Sequence, residues 1–159
     1  MTSKDNLQLY NDVIPIFVIG AMKCGTTSIF RQLQIRSDIC FPPKKEPGYF
    51  CEKMGHPEFR KHRYSELFVL NNHHKFIFDG SANYTKYPYD KDVPKRIFEY
   101  GLRPRFIYLV RNPFDRIESH YNYMKKDINW KTKITSKYLV DISNYYIQLE
   151  QYRNYFNKE

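Results

Sequence analysis

One short loop near the start of this chain gathers the residue types that bind phosphate. It reads Gly20-Ala21-Met22-Lys23-Cys24-Gly25-Thr26-Thr27-Ser28. Its two glycines let successive backbone N–H groups curl toward one anion, and a helix starting after the second glycine adds the positive end of its dipole. Lys23 supplies a mobile charge, and Thr26, Thr27 and Ser28 supply hydroxyl donors. The loop therefore predicts a phosphate cradle in preference to a simple tight turn.

The position of the lysine separates this loop from the P-loop of nucleotide triphosphatases. The motif GxxxxGK[ST] places lysine directly after its second glycine. Here that position is Thr26, and Lys23 stands three residues earlier. A P-loop kinase or NTPase remains an alternative, with the strand end at Asp79 as its magnesium ligand.

The central lysine resembles the pattern of sulfotransferases that use 3'-phosphoadenosine-5'-phosphosulfate. Their phosphosulfate loop has the form Lys-x-Gly-Thr-[Thr/Ser] after a strand, as at residues 23–27 here. The family also binds the 3'-phosphate with an arginine at a strand end and a serine eight residues later, as Arg111 and Ser119 are spaced here. The resemblance implies that the phosphosulfate and the 3'-phosphate are bound by the following residues: Lys23, Cys24, Gly25, Thr26, Thr27, Ser28, Arg111 and Ser119.

Further segments resemble the heparan-sulfate-type branch of that family. Lys44-Lys45-Glu46-Pro47-Gly48-Tyr49-Phe50 is similar to its Lys-Glu-Pro-His-[Phe/Tyr]-Phe segment. Asp79-Gly80-Ser81-Ala82-Asn83-Tyr84 is similar to its Glu-Lys-[Ser/Thr]-[Pro/Ala]-x-Tyr segment, and residues 145–156 are similar to its Tyr-x-x-Gln-Leu helix. Gly48 and Gly80 replace the usual histidine and substrate-contacting lysine, which weakens the case for a heparan acceptor.

The resemblance also implies a mechanism, in which a sulfuryl group moves from the phosphosulfate to a hydroxyl or amine. Lys23 would stabilise the charge on the leaving 5'-phosphate oxygen. Glu46 would take the acceptor proton, with His120 as the rival base. The acceptor, a small molecule or a carbohydrate, would contact Glu46, Ser81, Tyr84 and His120. The adjacent pair His73-His74 has no metal-ligand spacing, so no metal is expected.

Alternating apolar runs and helical patterns indicate the elements that position these residues. We predict buried strands at residues 16–19, 75–80 and 105–110, and helices at 26–36, 57–67, 90–100, 113–126 and 137–156. This order predicts an α/β fold: a P-loop-like parallel sheet flanked by helices and incomplete at the C-terminus. The strands of such a sheet end at one edge. The loops at 20–27, 79–84 and 111–119 should therefore converge there.

Composition limits the classes of protein that remain. The 159 residues include 26 basic and 17 acidic side chains, a net charge of +9, and three cysteines. No apolar run is long enough for a membrane span, no secretory signal is visible, and we expect a cytoplasmic protein. The charge fits an anionic ligand or a solvated surface equally well. Without an arginine-rich tail no nucleic-acid partner is expected, although a non-catalytic anion- or nucleic-acid-binding module remains an alternative.

The predicted domain organisation is simple. Residues 1–14 form a polar lead-in. Residues 15–159 form the N-terminal part of a sulfotransferase domain, because the family continues with further strands and a late basic loop.

Overall fold

Four parallel strands in the order β2-β3-β1-β4 form the sheet of the computed structural model, which describes residues 13–156. The strands are β1 (Ile14–Gly20), β2 (Ile39–Cys40), β3 (Phe76–Asp79) and β4 (Arg105–Tyr108). The helices are α1 (Thr26–Leu33), α2 (Val93–Glu99), α3 (Pro113–Asp127), α4 (Lys137–Asp141) and α5 (Tyr145–Arg153). Short 3-10 turns occur at Phe59–Lys61, Tyr64–Leu67 and Ala82–Tyr84. The predicted parallel α/β fold is confirmed.

The central strand β1 is buried on both faces, as its unbroken apolar run predicts. Phe17 has no exposed surface and packs against Phe50, Tyr64 and Tyr84 on one side of the sheet. On the other side Val18 belongs to a cluster with Ile39 and Phe78, against which α1 packs. The sheet therefore holds the start of α1 in a fixed position.

The convergence of the loops at one sheet edge is also confirmed. β1 lies between β3 and β4, and the three strands are parallel. The loop that follows β1 therefore lies between the loops that follow β3 and β4, at the same edge of the sheet. Arg111 Nη1 donates to the carbonyl of Lys23 at 3.4 Å, and Thr85 Oγ1 donates to the carbonyl of Ile19 at 2.9 Å. Gly20 is required at this junction, because a Cβ there would lie 2.3 Å from Thr85 Oγ1.

The prediction of a helix at residues 57–67 is wrong. Two 3-10 turns occupy this segment, and His62 and Arg63 between them are extended. The backbone N–H of Tyr64 donates to the Tyr100 hydroxyl at 3.2 Å instead of to a helical carbonyl. A partner distant in sequence has therefore replaced a helical hydrogen bond.

The single helix predicted at residues 137–156 is also wrong, because it is divided into α4 and α5. Ser143 lies at the break, where its buried hydroxyl accepts from Arg116 Nη1 at 2.7 Å. The Asn144 side chain then caps α5 by accepting from the N–H of Ile147 at 3.3 Å. The interruption is a local consequence of these two polar side chains.

Smaller differences concern the ends of elements. α1 ends at Leu33 instead of residue 36, and the two-residue strand β2 was not predicted. Most of the predicted lead-in, residues 1–12, lies outside the described residues, whereas Val13 is buried and Ile14 begins β1. Within residues 13–156, no helix is both long and apolar enough to cross a membrane.

Candidate active site

The loop between β1 and α1 has the backbone form that the glycines predict. Gly25 is left-handed (φ 91°) at the N-cap of α1, and no side chain caps the helix. The threonine and serine hydroxyls of the first turn therefore do not cap the helix. The first N–H groups of any helix lack intrahelical acceptors, so this end of α1 can receive an anion.

Lys23 is positioned by an unusual backbone conformation and by an aromatic ring. Its φ is 70°, in the left-handed region that non-glycine residues seldom adopt. Its Nζ lies 4.7 Å from the centre of the Tyr123 ring on α3. Such a cation–π contact orients the ammonium group without neutralising it, so the charge of Lys23 remains available to an anion.

Arg111 lies beside the loop at the end of β4, and Ser119 is half-buried on α3 with no hydrogen bond to the loop among the described residues. The side chain of Asn112 caps α3 by accepting from the N–H of Phe114 at 2.9 Å, and Pro113 is the first helical residue, both as predicted. Residues four apart share a helix face, so Asp115 stands between Arg111 and Ser119. Its Oδ2 lies 3.6 Å from Arg111 Nη2. Any anion that binds at Arg111 would compete with this carboxylate for the guanidinium group.

A lysine that we did not assign to the site connects the start of α1 to Glu46. Lys45 Nζ donates to Thr27 Oγ1 at 2.8 Å and to Glu46 Oε1 at 2.7 Å. Glu46 is half-buried beside Pro47 and Gly48, which are buried. The expected base is thereby held near the start of α1. Lys45 is part of the Lys-Lys-Glu-Pro segment, but sequence alone did not show which lysine faces the loop.

Ser81 and Tyr84, which we expected to contact the acceptor, are buried around the carboxylate of Asp79. Ser81 Oγ donates to Asp79 Oδ1 at 2.6 Å and accepts from the N–H of Gly48 at 2.9 Å. Tyr84 OH donates to Asp79 Oδ2 at 2.7 Å, and Tyr64 OH donates to the same oxygen at 3.1 Å. Burial raises the pKa of Asp79 to about 6, and the three hydroxyl donors act against this rise. Ser81 and Tyr84 therefore position the Glu46 segment in this structure.

His120 is also buried, with 1% of its surface exposed. Its Nδ1 accepts from Arg116 Nη2 at 2.7 Å, so the neutral ring carries its proton on Nε2. Burial first, and then the charges of Lys86, Arg116 and Lys23, lower the pKa of His120 to about 2. Such an imidazole has little capacity to accept a proton near neutral pH. The geometry therefore favours Glu46 over His120 as the base.

Arg116 and Lys86 are the other buried basic residues near the loop that sequence reasoning missed. Arg116 Nε donates to the carbonyl of Met22 at 3.1 Å, and Lys86 Nζ donates to Met22 Sδ at 3.3 Å. The spacing of Arg116, five residues after Arg111, does not place the two on one helix face and so gave no signal. Lys86 stands among aromatic residues, a context that gave no signal either. In the part of the chain that the structure describes, no three His, Cys, Asp or Glu side chains form a potential metal site.

Comparisons with known proteins bear on the fold that carries this site. No protein-family model matches the chain, and no curated protein matches it significantly. A search of solved structures finds a sulfotransferase from Alicyclobacillus acidocaldarius, with a TM-score of 0.71 and 23% sequence identity. The match covers 89% of this chain and 68% of the other. The chain thus has the α/β fold of a bacterial sulfotransferase.

Proposed function

We propose that this protein transfers a sulfuryl group from 3'-phosphoadenosine-5'-phosphosulfate to a hydroxyl or amine. The proposal rests on one observation: the basic side chains of Lys23 and Arg111 lie together at one edge of the sheet. The loop that bears Lys23 opens toward the uncapped start of α1, and Arg111 bonds to that loop from the end of β4. One group suits a phosphosulfate and the other a phosphate. The fold shared with a sulfotransferase supports the same assignment.

In the proposed reaction an acceptor oxygen or nitrogen attacks sulfur while the bond from sulfur to the 5'-phosphate oxygen breaks. The electron pair of that bond remains on the phosphate oxygen. Lys23 and the N–H groups of residues 25–27 stabilise the resulting charge. Glu46 accepts the acceptor proton, and Lys45 keeps the carboxylate oriented through its bond at 2.7 Å. As in phosphoryl transfer, most of the rate enhancement comes from position and charge.

An apolar groove beside α3 fits the nucleoside part of the donor. Its volume is about 410 Å³, and it lies between α3 and the segment leading into α4. Phe114, Ile117 and Val140 line it, and 78% of the Phe114 side chain is exposed. Phe114 is next to the helix face that carries Arg111 and Ser119, so a planar base bound here would lie close to both.

The proposed acceptor class rests on two sequence segments and on the net charge of the protein. The Glu46 segment and residues 79–84 resemble the heparan-sulfate-type branch, and the net charge of +9 suits an anionic sugar. Gly80 carries no side chain for a sugar, so a small hydroxyl compound fits equally well. We therefore extend the proposal to small-molecule and carbohydrate acceptors.

The test is paired substitution of the loop lysine and the base. A donor radiolabelled on its sulfuryl group is incubated with phenol, sugar and amine acceptors, and the labelled product is measured. Glu46→Gln should lower turnover by about 100- to 10,000-fold with little change in donor affinity. Lys23→Ala should lower both, because its ammonium group meets the donor in the ground state and in the transition state.

Two control variants match the chemistry of these substitutions: one removes a carboxylate paired with a lysine, and the other removes a lysine that lies over an aromatic ring. Glu58→Gln removes an exposed carboxylate that pairs with Lys44 at 3.6 Å, and Lys125→Ala removes an ammonium group over the Tyr121 ring. Both variants should keep wild-type turnover. Transfer of phosphate from MgATP would instead support a kinase. Binding that ignores the nucleotide and weakens steeply with salt would support an anion- or nucleic-acid-binding module.

A further inference from the structure

The side chain of Lys86 contacts the underside of the loop between β1 and α1, although Lys86 itself follows strand β3. Only 2% of its surface is exposed. Its Nζ donates to Met22 Sδ at 3.3 Å and to the Tyr138 hydroxyl at 3.3 Å, and it lies 5.5 Å from the centre of the Tyr138 ring. Within residues 13–156, Lys86 forms no ion pair with a carboxylate. A thioether and a phenol are weak substitutes for water around an ammonium group.

A neighbouring buried N–H donor has no acceptor in the part of the chain that the structure describes. His120 Nε2 is buried and has no hydrogen-bond partner among the described residues. Arg116, 1% exposed, bonds to carbonyls, to Ser143 and to His120, but to no carboxylate. The underside of the loop is therefore a buried basic cluster of Lys86, Arg116 and His120, and among the described residues none of the three side chains forms an ion pair with a carboxylate.

The charged and titratable groups around Lys86 come from every element packed against it. They are Arg116 and His120 on α3, Tyr138 on α4, and Glu46 and Cys51 in the segment after β2, and Lys23 in the loop acts on the neighbouring His120. Burial first, and then the charge of Arg116, lower the pKa of Lys86 to about 7, and Glu46 and Cys51 act in the opposite direction. The amine is therefore substantially neutral at mildly alkaline pH while the loop is empty.

From these contacts we propose that Lys86 is a further binding residue for the anion in the loop, and that it takes up a proton when a phosphosulfate binds. The proposal rests on the proposed function for the identity of the anion. A negative group held by the loop next to Met22 favours the ammonium form of Lys86, because an opposite charge nearby stabilises a charged group. One proton moves from solvent to Nζ, and no other bond changes.

The consequence is an affinity that depends on pH through one buried lysine. Below about pH 7 the ammonium form is already present and binding takes up few protons. At pH 8 uptake should approach about one proton per bound anion, and affinity should fall by up to tenfold per pH unit above 7. The lowered pKa of His120 keeps its ring neutral throughout this range.

Titration calorimetry in two buffers of different ionisation enthalpy measures the proton uptake directly. The probe is adenosine 5'-phosphosulfate, because its phosphosulfate group does not titrate near pH 7. The wild-type protein should take up close to one proton at pH 8. Lys86→Met should abolish the uptake and make affinity independent of pH, and Lys86→Arg should bind with neither uptake nor loss of affinity. Lys137→Met, an exposed lysine on α4, is the matched control and should keep the uptake.

The wild-type result decides the proposal even if a Lys86 variant fails to fold. Binding without proton uptake, or equal uptake in wild type and Lys86→Met, overturns the role of Lys86. If adenosine 3',5'-bisphosphate is preferred over adenosine 5'-monophosphate but phosphosulfate binding takes up no proton, only the Lys86 proposal fails. If uptake occurs without any preference for the 3'-phosphate, the sulfotransferase proposal fails while Lys86 stands. Absence of phosphosulfate binding overturns both.

Discussion

The buried carboxyl of Asp79 should give the stability of this protein a pH dependence that one substitution removes. Asp79 has no exposed surface, and burial raises its pKa from an ordinary value of 3.8 to about 6. The folded protein therefore holds this proton more tightly than the unfolded chain does. The stabilisation is complete below about pH 4 and is lost as pH rises through about 6.

The size of the effect follows from the two pKa values. They differ by about two, and each pKa unit corresponds to about 1.4 kcal/mol. Ionisation of Asp79 therefore costs the folded state about 3 kcal/mol, or roughly a hundredfold in the unfolding equilibrium. Asp79→Asn cannot ionise. Between about pH 3 and pH 7 the wild-type protein should lose about 3 kcal/mol more stability than this variant.

Urea unfolding at several pH values tests this expectation. Circular dichroism and the fluorescence of Trp130, the single tryptophan, report the transition. Asp127→Asn, at the exposed end of α3, is the matched control and should keep the wild-type slope. Parallel stability curves for the wild type and Asp79→Asn would refute the reasoning, whatever the absolute stability of the variant.

Three further substitutions should have separable effects. Asp115→Asn removes the carboxylate beside Arg111 and should raise affinity for a 3'-phosphate about 2- to 5-fold, by calorimetry with adenosine 3',5'-bisphosphate. Asp90→Ala removes the acceptor for three backbone N–H groups of residues 52–54 and the partner of Arg96, and should cost about 3–5 kcal/mol in urea unfolding. Gly20→Ala should lower the melting temperature, since its Cβ would overlap Thr85 Oγ1; an unchanged melting temperature would contradict the close approach.

Local signals in the sequence were sufficient for the sheet edge and for the backbone form of the loop between β1 and α1. Apolar runs that are buried on both faces specify parallel strands, and the glycines specify a loop that curls. Asn112 followed by proline specifies the start of α3, and the structure has that cap. Each of these features depends on neighbours within a few residues.

Features that depend on distant partners could not be predicted in the same way. Tyr100 redirects the backbone of Tyr64, and Arg116 occupies Ser143 at the break between α4 and α5. The helical spacing of apolar residues continues through both positions in the sequence. That spacing carries no information about side chains that approach from other elements. Ser81 is likewise buried because it bonds both to Asp79 and to Gly48 of the Glu46 segment. The spacing of residues along the chain does not show that these segments pack together.

The most direct test of the central claim is whether this protein recognises a 3'-phosphorylated adenosine. Calorimetric titration compares adenosine 3',5'-bisphosphate with adenosine 5'-monophosphate in the wild type, Arg111→Ala and Ser119→Ala. Charge-assisted phosphate contacts contribute about 1.5–3 kcal/mol, so the wild type should prefer the bisphosphate by about 10- to 150-fold. Each substitution should reduce that preference. Equal affinity of the wild type for both nucleotides, or tighter binding of MgATP, would contradict the account.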